Sequence, residues 1–220
     1  MTKASEQHIN RCYSLIGTGM FAPQKYLEAC LARSKDAYRG TTFPPNDPVL
    51  ASLDSSLKRI PKLYPTREGF VEVAHSFVSG PSAALHRGID VVYYYDPANP
   101  KSISGAVRFG LHAASIVLPD HDYAATVHGG AVEAVLDDIT GTVVRHNQSV
   151  WMATSDFSAK LKKPCPLKKT LKFHASVESV EKSGLFCMCS GRIVDEKGVV
   201  IATGGAKMVD TVVLARLMGK

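Results

Sequence analysis

The sequence is poor in cysteine, with five among 220 residues, and the five form no recognisable pair. They occupy positions 12, 30, 165, 187 and 189, an odd number without a C-x-x-C motif. This pattern argues against a disulfide framework and favours a reducing, intracellular compartment. Cys187 and Cys189 lie two residues apart in a predicted strand and share one face, so we interpret them as small core residues, not as nucleophiles.

Metal, membrane and nucleic-acid signatures are also missing. The eight histidines are scattered and no H-E-x-x-H motif occurs, so we expect no metal ion and no cofactor. No apolar run approaches the roughly 18 residues needed to cross a bilayer, so no membrane span is expected. Neither zinc-ligand spacing, a helix-turn-helix pattern nor basic residues interleaved with aromatics occurs, and nucleic-acid binding is not expected.

Positive charge exceeds negative charge, and part of the excess is concentrated in one stretch. The chain has 26 basic and 20 acidic residues, a formal net charge of +6. No acid occurs between Asp156 and Glu178, and this stretch contains Lys160, Lys162, Lys163, Lys168, Lys169 and Lys172. Lysines protect an edge strand from aggregation, which is the first interpretation. A docking patch for phosphate groups is the second.

Two parts of the chain have different patterns. Residues 1–85 are predicted to form an α-rich extension with helices at 24–35, 47–60 and 68–78, the first opened by Pro23 and the second ended by Pro61. The first twenty residues carry a weak mitochondrial presequence signal, so a cytoplasmic and a mitochondrial location both stay open. Residues 86–220 form the second predicted domain.

Strand patterns dominate this second domain. Strands are predicted at 91–95 and 103–109, and four more at 150–161, 170–180, 185–194 and 199–209, with one long helix between the two groups. Strands with one apolar face need a cover, so the order predicts an α+β fold in which an antiparallel sheet wraps round the helix. Tyr93, Tyr94 and Tyr95 cannot share one face, and at least one ring should meet solvent, the N-terminal helices or a second subunit.

The run from His128 to Asp137 joins a glycine turn to this helix. Gly129 and Gly130 leave the first helical N–H groups uncovered, and the helix dipole adds partial positive charge there. An oxygen that gains negative charge could be stabilised at this end. A plain turn followed by a core helix is the alternative interpretation.

Asp137 lies on a different stripe of the helix from the apolar face formed by Val132, Val135, Leu136, Ile139 and Val143. It is eight residues past Gly129, about 12 Å along the axis. The acid and the amides could therefore serve one substrate only if a second copy of the helix runs antiparallel across a dimer interface. A solvated surface carboxylate is the alternative.

The segment His128 to Asp137 resembles the helix-opening motif of acyl-CoA thioesterases of the hotdog fold, in the branch of the phenylacetate-pathway enzymes and their mitochondrial relatives. Thr154 stands ten residues before Pro164, in a strand that ends in a Lys-Lys-Pro-Cys-Pro-Leu run similar to the family's basic residues before Pro-x-Pro-Leu. The segments 191–195 and 200–206 resemble the closing hairpin of the family. The resemblance covers about residues 88 to 210.

The resemblance implies hydrolysis of acyl-CoA thioesters by a homodimer with shared active sites, and it leaves assembly of dimers into a tetramer open. His128 would hold the turn and touch the thioester, the N–H of Gly129 would stabilise the oxyanion, Asp137 would be the base or nucleophile, and Thr154 would position water. Coenzyme A would be bound by Gly130, Lys162, Lys163, Gly204 and Gly205.

Two positions depart from the family pattern. Asp122 stands where the branch often has asparagine, and a negative charge there would repel the oxyanion unless it is turned away. Ala125 replaces a usual glycine, so the loop before the helix can follow a different path. Two alternatives stay open: an acyl-CoA-binding or scaffolding protein without activity, and a hydratase or dehydratase, for which Glu133 is available but the His-Phe-Pro-Gly-type turn is missing.

Overall fold

A computed structural model describes residues 23–66, 68–73, 76–115 and 126–219. Five α-helices lie in these ranges: α1 (Pro23–Ala32), α2 (Pro48–Ser56), α3 (Pro81–Arg87), α4 (Gly129–Asn147) and α5 (Thr211–Leu217). The central helix α4, with 19 residues, is the longest of them.

Seven antiparallel strands form one sheet with the order β1-β4-β5-β7-β8-β9-β6. They are β1 (Lys58–Ile60), β4 (Ile89–Tyr95), β5 (Ser102–Phe109), β6 (Met152–Leu161), β7 (Thr170–Glu181), β8 (Phe186–Val194) and β9 (Val200–Asp210). A separate hairpin pairs β2 (Leu63–Thr66) with β3 (Gly69–Glu72). The predicted order of two strands, a long helix and four strands is confirmed, and so is the α+β hotdog arrangement.

The helix α4 lies close against the concave side of the sheet. Its apolar side chains are buried in the main core, among them Val132, Val135, Leu136, Ile139 and Val143. A Cβ atom at Gly191 would lie 3.1 Å from Ile139 Cδ1, and one at Gly204 would lie 3.2 Å from Leu136 Cβ. The lack of a Cβ atom at these two glycines thus allows the side chains of α4 to pack directly against β8 and β9.

The extension is less helical than the sequence indicates. The expected helix at 68–78 is wrong, because β3 pairs there with β2 around a turn in which Gly69 has a positive φ of 132°. The expected helix at 47–60 ends at Ser56, and Lys58–Ile60 pairs instead with β4. Pairing with a strand that is distant in sequence overrides the local helical pattern in both places.

Two buried carboxylates attach the extension to the sheet. Asp90 on β4 accepts the N–H groups of Thr41 (2.7 Å) and Thr42 (2.8 Å). Asp47 caps α2 by accepting the N–H groups of Val49 (2.9 Å) and Leu50 (3.2 Å), and its second oxygen accepts the hydroxyl of Thr170.

The tyrosine run on β4 contacts both layers. Tyr93 and Tyr95 join the core that contains α4, whereas Tyr94 packs with Val49 and Leu53 of α2 on the other face of the sheet. The Tyr94 hydroxyl donates to Asp54 at 2.8 Å. Of the three surroundings that the sequence left open for a ring, solvent, the N-terminal helices and a second subunit, Tyr94 meets the N-terminal helices.

His146 links α4 to the extension. It is fully buried, its Nδ1 donates to the carbonyl of Thr142 (2.8 Å), and its ring lies 5.2 Å from that of Tyr26 on α1, edge to face. Burial lowers the pKa of His146 to about 4, and the positive charges of Arg145 and Lys62 act in the same direction.

We expect the free energy of unfolding to fall as the pH drops from about 6.5 to 4, by up to about 3 kcal/mol from this group, because the unfolded chain binds a proton that folded His146 excludes. Urea unfolding of the wild type and His146→Gln at pH 7 and pH 4.5 measures this change in the free energy of unfolding. The variant should lose less stability on acidification. An equal loss in both proteins would assign the pH dependence to other groups.

Candidate active site

The turn that opens α4 is held by His128. The ring Nδ1 of His128 accepts the backbone N–H of Gly130 at 3.1 Å, and the backbone N–H of His128 donates to the carbonyl of Ala113 at 2.8 Å. The side chain therefore caps the helix in the way that serine or aspartate commonly does. His128 thus holds the turn in this structure, and its contact with a thioester stays a prediction.

Gly129 is the residue of the turn whose N–H can receive a ligand. Among the described residues, no acceptor is bonded to this N–H, whereas the N–H of Gly130 is occupied by His128. A Cβ atom at Gly129 would lie 3.0 Å from Leu161 Cδ1, at the end of β6. This N–H is thus bordered by a half-exposed leucine.

Asp137 and Thr154 are in direct contact. Thr154 Oγ1 donates to Asp137 Oδ1 at 2.9 Å, and the carboxylate is only partly exposed. A bulge in the pairing of β6 with β9 begins at Thr154, and the register shifts between Thr154 and Asp156. Because the hydroxyl proton points to Asp137, the lone pairs of the hydroxyl oxygen are available to a water molecule. Two expected site residues, 17 positions apart in sequence, are brought together.

The two halves of the expected site lie apart within one chain. Asp137 is eight residues after Gly129 in a continuous helix, an axial separation of about 12 Å. A carbonyl held at the N–H of Gly129 is therefore out of reach of the Asp137 carboxylate of the same chain.

Asp138, the next residue on α4, has a different environment that the sequence pattern did not indicate. Its Oδ1 forms an ion pair with Lys62 Nζ, and its Oδ2 accepts the hydroxyl of Tyr93. The side chains of Lys62 and Asp138 are 15% and 12% exposed. Lys62 is 76 positions away in the sequence, and no local motif connects it with the helix.

The expected coenzyme A residues separate into two places. Lys162 and Lys163 follow Leu161 with exposed side chains, and their N–H groups donate to the carbonyl of Ile201 at 2.8 and 3.2 Å. Since Leu161 adjoins Gly129, these lysines and the exposed Gly130 lie at the opening of α4.

Gly204 and Gly205 lie inside the sheet, paired with Ala159 and Ser158 of β6. Gly204 is buried beneath α4, where its role in packing accounts for the glycine, and Gly205 is half-buried on the other face. A role of either glycine in binding coenzyme A stays a prediction.

The cysteines in the described ranges are buried free thiols. Burial raises the pKa of Cys30, Cys165 and Cys189 to about 12 and that of Cys187 to about 11, so these thiols stay protonated. The interpretation of Cys187 and Cys189 as core residues is confirmed. Asp122, Ala125 and Cys12 lie outside the described residues.

Within the same ranges, no three His, Cys, Asp or Glu side chains are grouped so that they could hold a metal ion. No helix in the described part of the chain has the length and apolar character needed to cross a membrane.

One curated protein provides a sequence comparison. The chain is 27% identical over 110 residues to acyl-coenzyme A thioesterase THEM4 of Mus musculus, an alignment that covers 50% of this chain and 44% of the mouse protein. The chain thus spans less than half the length of that relative. No protein-family profile matches the chain.

Solved structures also resemble this fold. A thioesterase superfamily protein is 25% identical, with a TM-score of 0.49 over 61% of this chain and 63% of that chain. A hypothetical thioesterase of Streptococcus pneumoniae TIGR4, solved with coenzyme A, is 17% identical, with a TM-score of 0.44 over 54% of this chain and 88% of that chain. The strand order and the helix held against the sheet are those of the hotdog fold, and half of the chain is similar in sequence to an acyl-coenzyme A thioesterase.

Proposed function

We propose that the protein hydrolyses acyl-CoA thioesters to a free acid and coenzyme A. The observation that carries this proposal is the hydrogen bond from Thr154 to Asp137. It leaves one partly exposed carboxylate and one hydroxyl oxygen side by side, the arrangement needed to hold a water molecule and take its proton. The N–H of Gly129, to which no acceptor among the described residues is bonded, adds a donor for a carbonyl oxygen.

The reaction proceeds in two steps with these groups. The water oxygen adds to the thioester carbonyl carbon while a water proton passes to Asp137, and the N–H of Gly129 stabilises the oxyanion that forms. Collapse of the intermediate breaks the C–S bond and releases the acid and the thiolate of coenzyme A. A thiolate leaves readily, so the step needs no separate acid to protonate it.

A complete site in this proposal contains Asp137 and Thr154 of one copy and Gly129 of another. Among the described strands, β6 is the last of the sheet and is largely exposed along its ten residues, so its outer edge can pair with a second β6. An antiparallel pair of β6 strands related by a two-fold axis would also place two α4 helices antiparallel. The acid of one helix would then approach the N-terminus of the other.

The opening of α4 also suits the phosphates of coenzyme A. Lys162 and Lys163 are exposed beside Leu161, close to Gly129. If the thioester carbonyl of an acyl-CoA is bound at Gly129, the phosphates of its coenzyme A part would lie near these two cations. The mouse relative is an acyl-coenzyme A thioesterase, and the pneumococcal structure contains coenzyme A. The free thiols of the described cysteines support a reducing compartment.

We expect Asp137→Asn to reduce kcat by about 100-fold or more, because the amide cannot accept the water proton. Thr154→Val should reduce kcat by about tenfold, whereas Thr154→Ser, which keeps the hydroxyl, should stay within about threefold of the wild type. Thiol release from short, medium, long and aryl acyl-CoAs measures these rates. Turnover of Asp137→Asn at the wild-type rate would refute the role of this acid.

Binding measurements separate the alternatives on the same proteins. Calorimetric binding of acyl-CoA without thiol release from the wild type would support an acyl-CoA-binding protein instead. Formation of an enoyl product would support a dehydratase.

Gly129 allows a matched pair of variants. Gly129→Pro removes the N–H at the first helical position, where proline is tolerated, and His128 already has the extended backbone that precedes proline (φ −60°, ψ 133°). Gly129→Ala adds the same Cβ atom but keeps the N–H. We expect kcat to fall about 100-fold more in Gly129→Pro than in Gly129→Ala. Equal losses would attribute the effect to contact with Leu161.

Mixing two inactive variants tests whether the site is shared between subunits. In a dimer of Asp137→Asn with Gly129→Pro, one site would have an intact acid and an intact amide. Re-equilibrated equal mixtures should recover about a quarter of wild-type turnover, because half the dimers are mixed and each has one working site. No recovery, with mixed dimers verified by differential tags, would place the whole site within one chain.

A further inference from the structure

The two acids at the centre of α4 are held by strands from opposite halves of the sheet. Asp137 accepts from Thr154 on β6, and Asp138 accepts from Tyr93 on β4, although four strands separate β4 from β6 in the sheet order. Consecutive helical residues point about 100° apart, so neighbouring acids face different flanks of the helix. The sheet therefore wraps far enough round α4 for β4 to reach one flank of the helix and β6 the other.

The extension supplies the cation on the Asp138 side. Lys62 lies in the link between β1 and β2, and its carbonyl accepts the N–H of Val73 at 2.8 Å. Its ammonium group reaches Asp138 in a largely buried place. Burial and the neighbouring Asp138 raise the pKa of Tyr93 well above its usual value, so the hydroxyl stays protonated and donates.

The charges of the two acids are therefore unequal. Asp138 has a cation within ion-pair distance, whereas in the described ranges no lysine, arginine or histidine forms an ion pair with Asp137. A negative charge on Asp138 without Lys62 would act on Asp137 at the neighbouring position, and like charges favour the uptake of a proton. The ion pair thus compensates the charge of Asp138 and limits this repulsion.

We propose that Lys62 and Tyr93 are positioning residues for the Asp137 site, which act through Asp138 by fixing the rotation of α4 and by compensating the charge beside Asp137. The inference rests on the proposed thioesterase function and assigns the N-terminal extension a part in it. Lys62 touches neither Asp137 nor the reacting atoms.

The pH profile of turnover distinguishes this role from a merely structural one. Among the described residues, the titratable and charged groups near the two acids include Lys62, Tyr93 and Arg145, His146 further along α4, and Cys189 from β8, while Glu133 lies one turn earlier on α4. Removal of the Lys62 charge should move the acidic limb of the kcat profile to higher pH, because Asp138 then favours protonation of its neighbour. Simple loosening of the fold would lower the amount of active protein without moving the limb.

The experiment compares five full-length proteins by thiol release from pH 4.5 to 8.5. They are the wild type, Lys62→Met, Lys62→Arg, the double variant Lys62→Met/Asp138→Asn and the control Lys58→Met, which removes an exposed charge from the neighbouring β1. Thermal unfolding of each protein gives the folded fraction at every pH.

In Lys62→Met we expect kcat to fall about tenfold with KM within about twofold, and the acidic limb to move to higher pH. Lys62→Arg should recover most of the lost kcat. The double variant should return the acidic limb of the kcat profile to its wild-type pH without restoring kcat fully. Lys58→Met should match the wild type. Tyr93→Phe, which removes a hydrogen bond but no charge, should lower kcat and leave the limb in place.

The inference is overturned if the acidic limb of the kcat profile stays at its wild-type pH in folded Lys62→Met. It is also overturned if this limb shifts equally in Lys62→Met and in the double variant. A loss of turnover that follows only the unfolded fraction overturns it as well. In these cases the wild type still releases thiol and Asp137→Asn does not, so the thioesterase proposal stands. Absence of turnover in the wild type refutes both.

Discussion

The close packing of α4 against the sheet is the constraint on which the other features depend. At Gly191 and Gly204 the strands carry no side chain, so Ile139 and Leu136 approach the sheet backbone directly at these two positions. Buried residues on that face of the helix fix its rotation, and its polar residues are then directed to the flanks. As a result, Asp137 and Asp138 contact different neighbours.

Each flank of the helix has its own chemistry. On the β6 side, Asp137 meets a hydroxyl and is partly exposed, which suits proton transfer to and from water. On the β4 side, Asp138 meets Lys62 and Tyr93 in a largely buried place, which suits structural attachment. His146 continues this attachment further along α4 through its contact with Tyr26. The extension is therefore attached to the same helix that carries the candidate base.

Periodicity was sufficient where residues that are close in sequence decide the structure. The apolar stripe of α4, the alternation in the later strands and the glycine turn at Gly129 are local patterns, and the structure follows them. The extension was harder, because Lys58–Ile60 and Gly69–Glu72 become strands only through partners that a local pattern does not specify. Local propensity indicated helices in both places.

The sequence by itself determined the wrapped helix, its glycine opening and the presence of an acid on its polar stripe, because hydrophobic spacing and backbone chemistry are encoded within a few residues. Only the tertiary structure decided which acid faces Thr154 and which one faces Lys62. That choice depends on the rotation of α4 about its axis and on the curl of a seven-stranded sheet. Both follow from packing among residues far apart in the chain, and no spacing within the sequence specifies them.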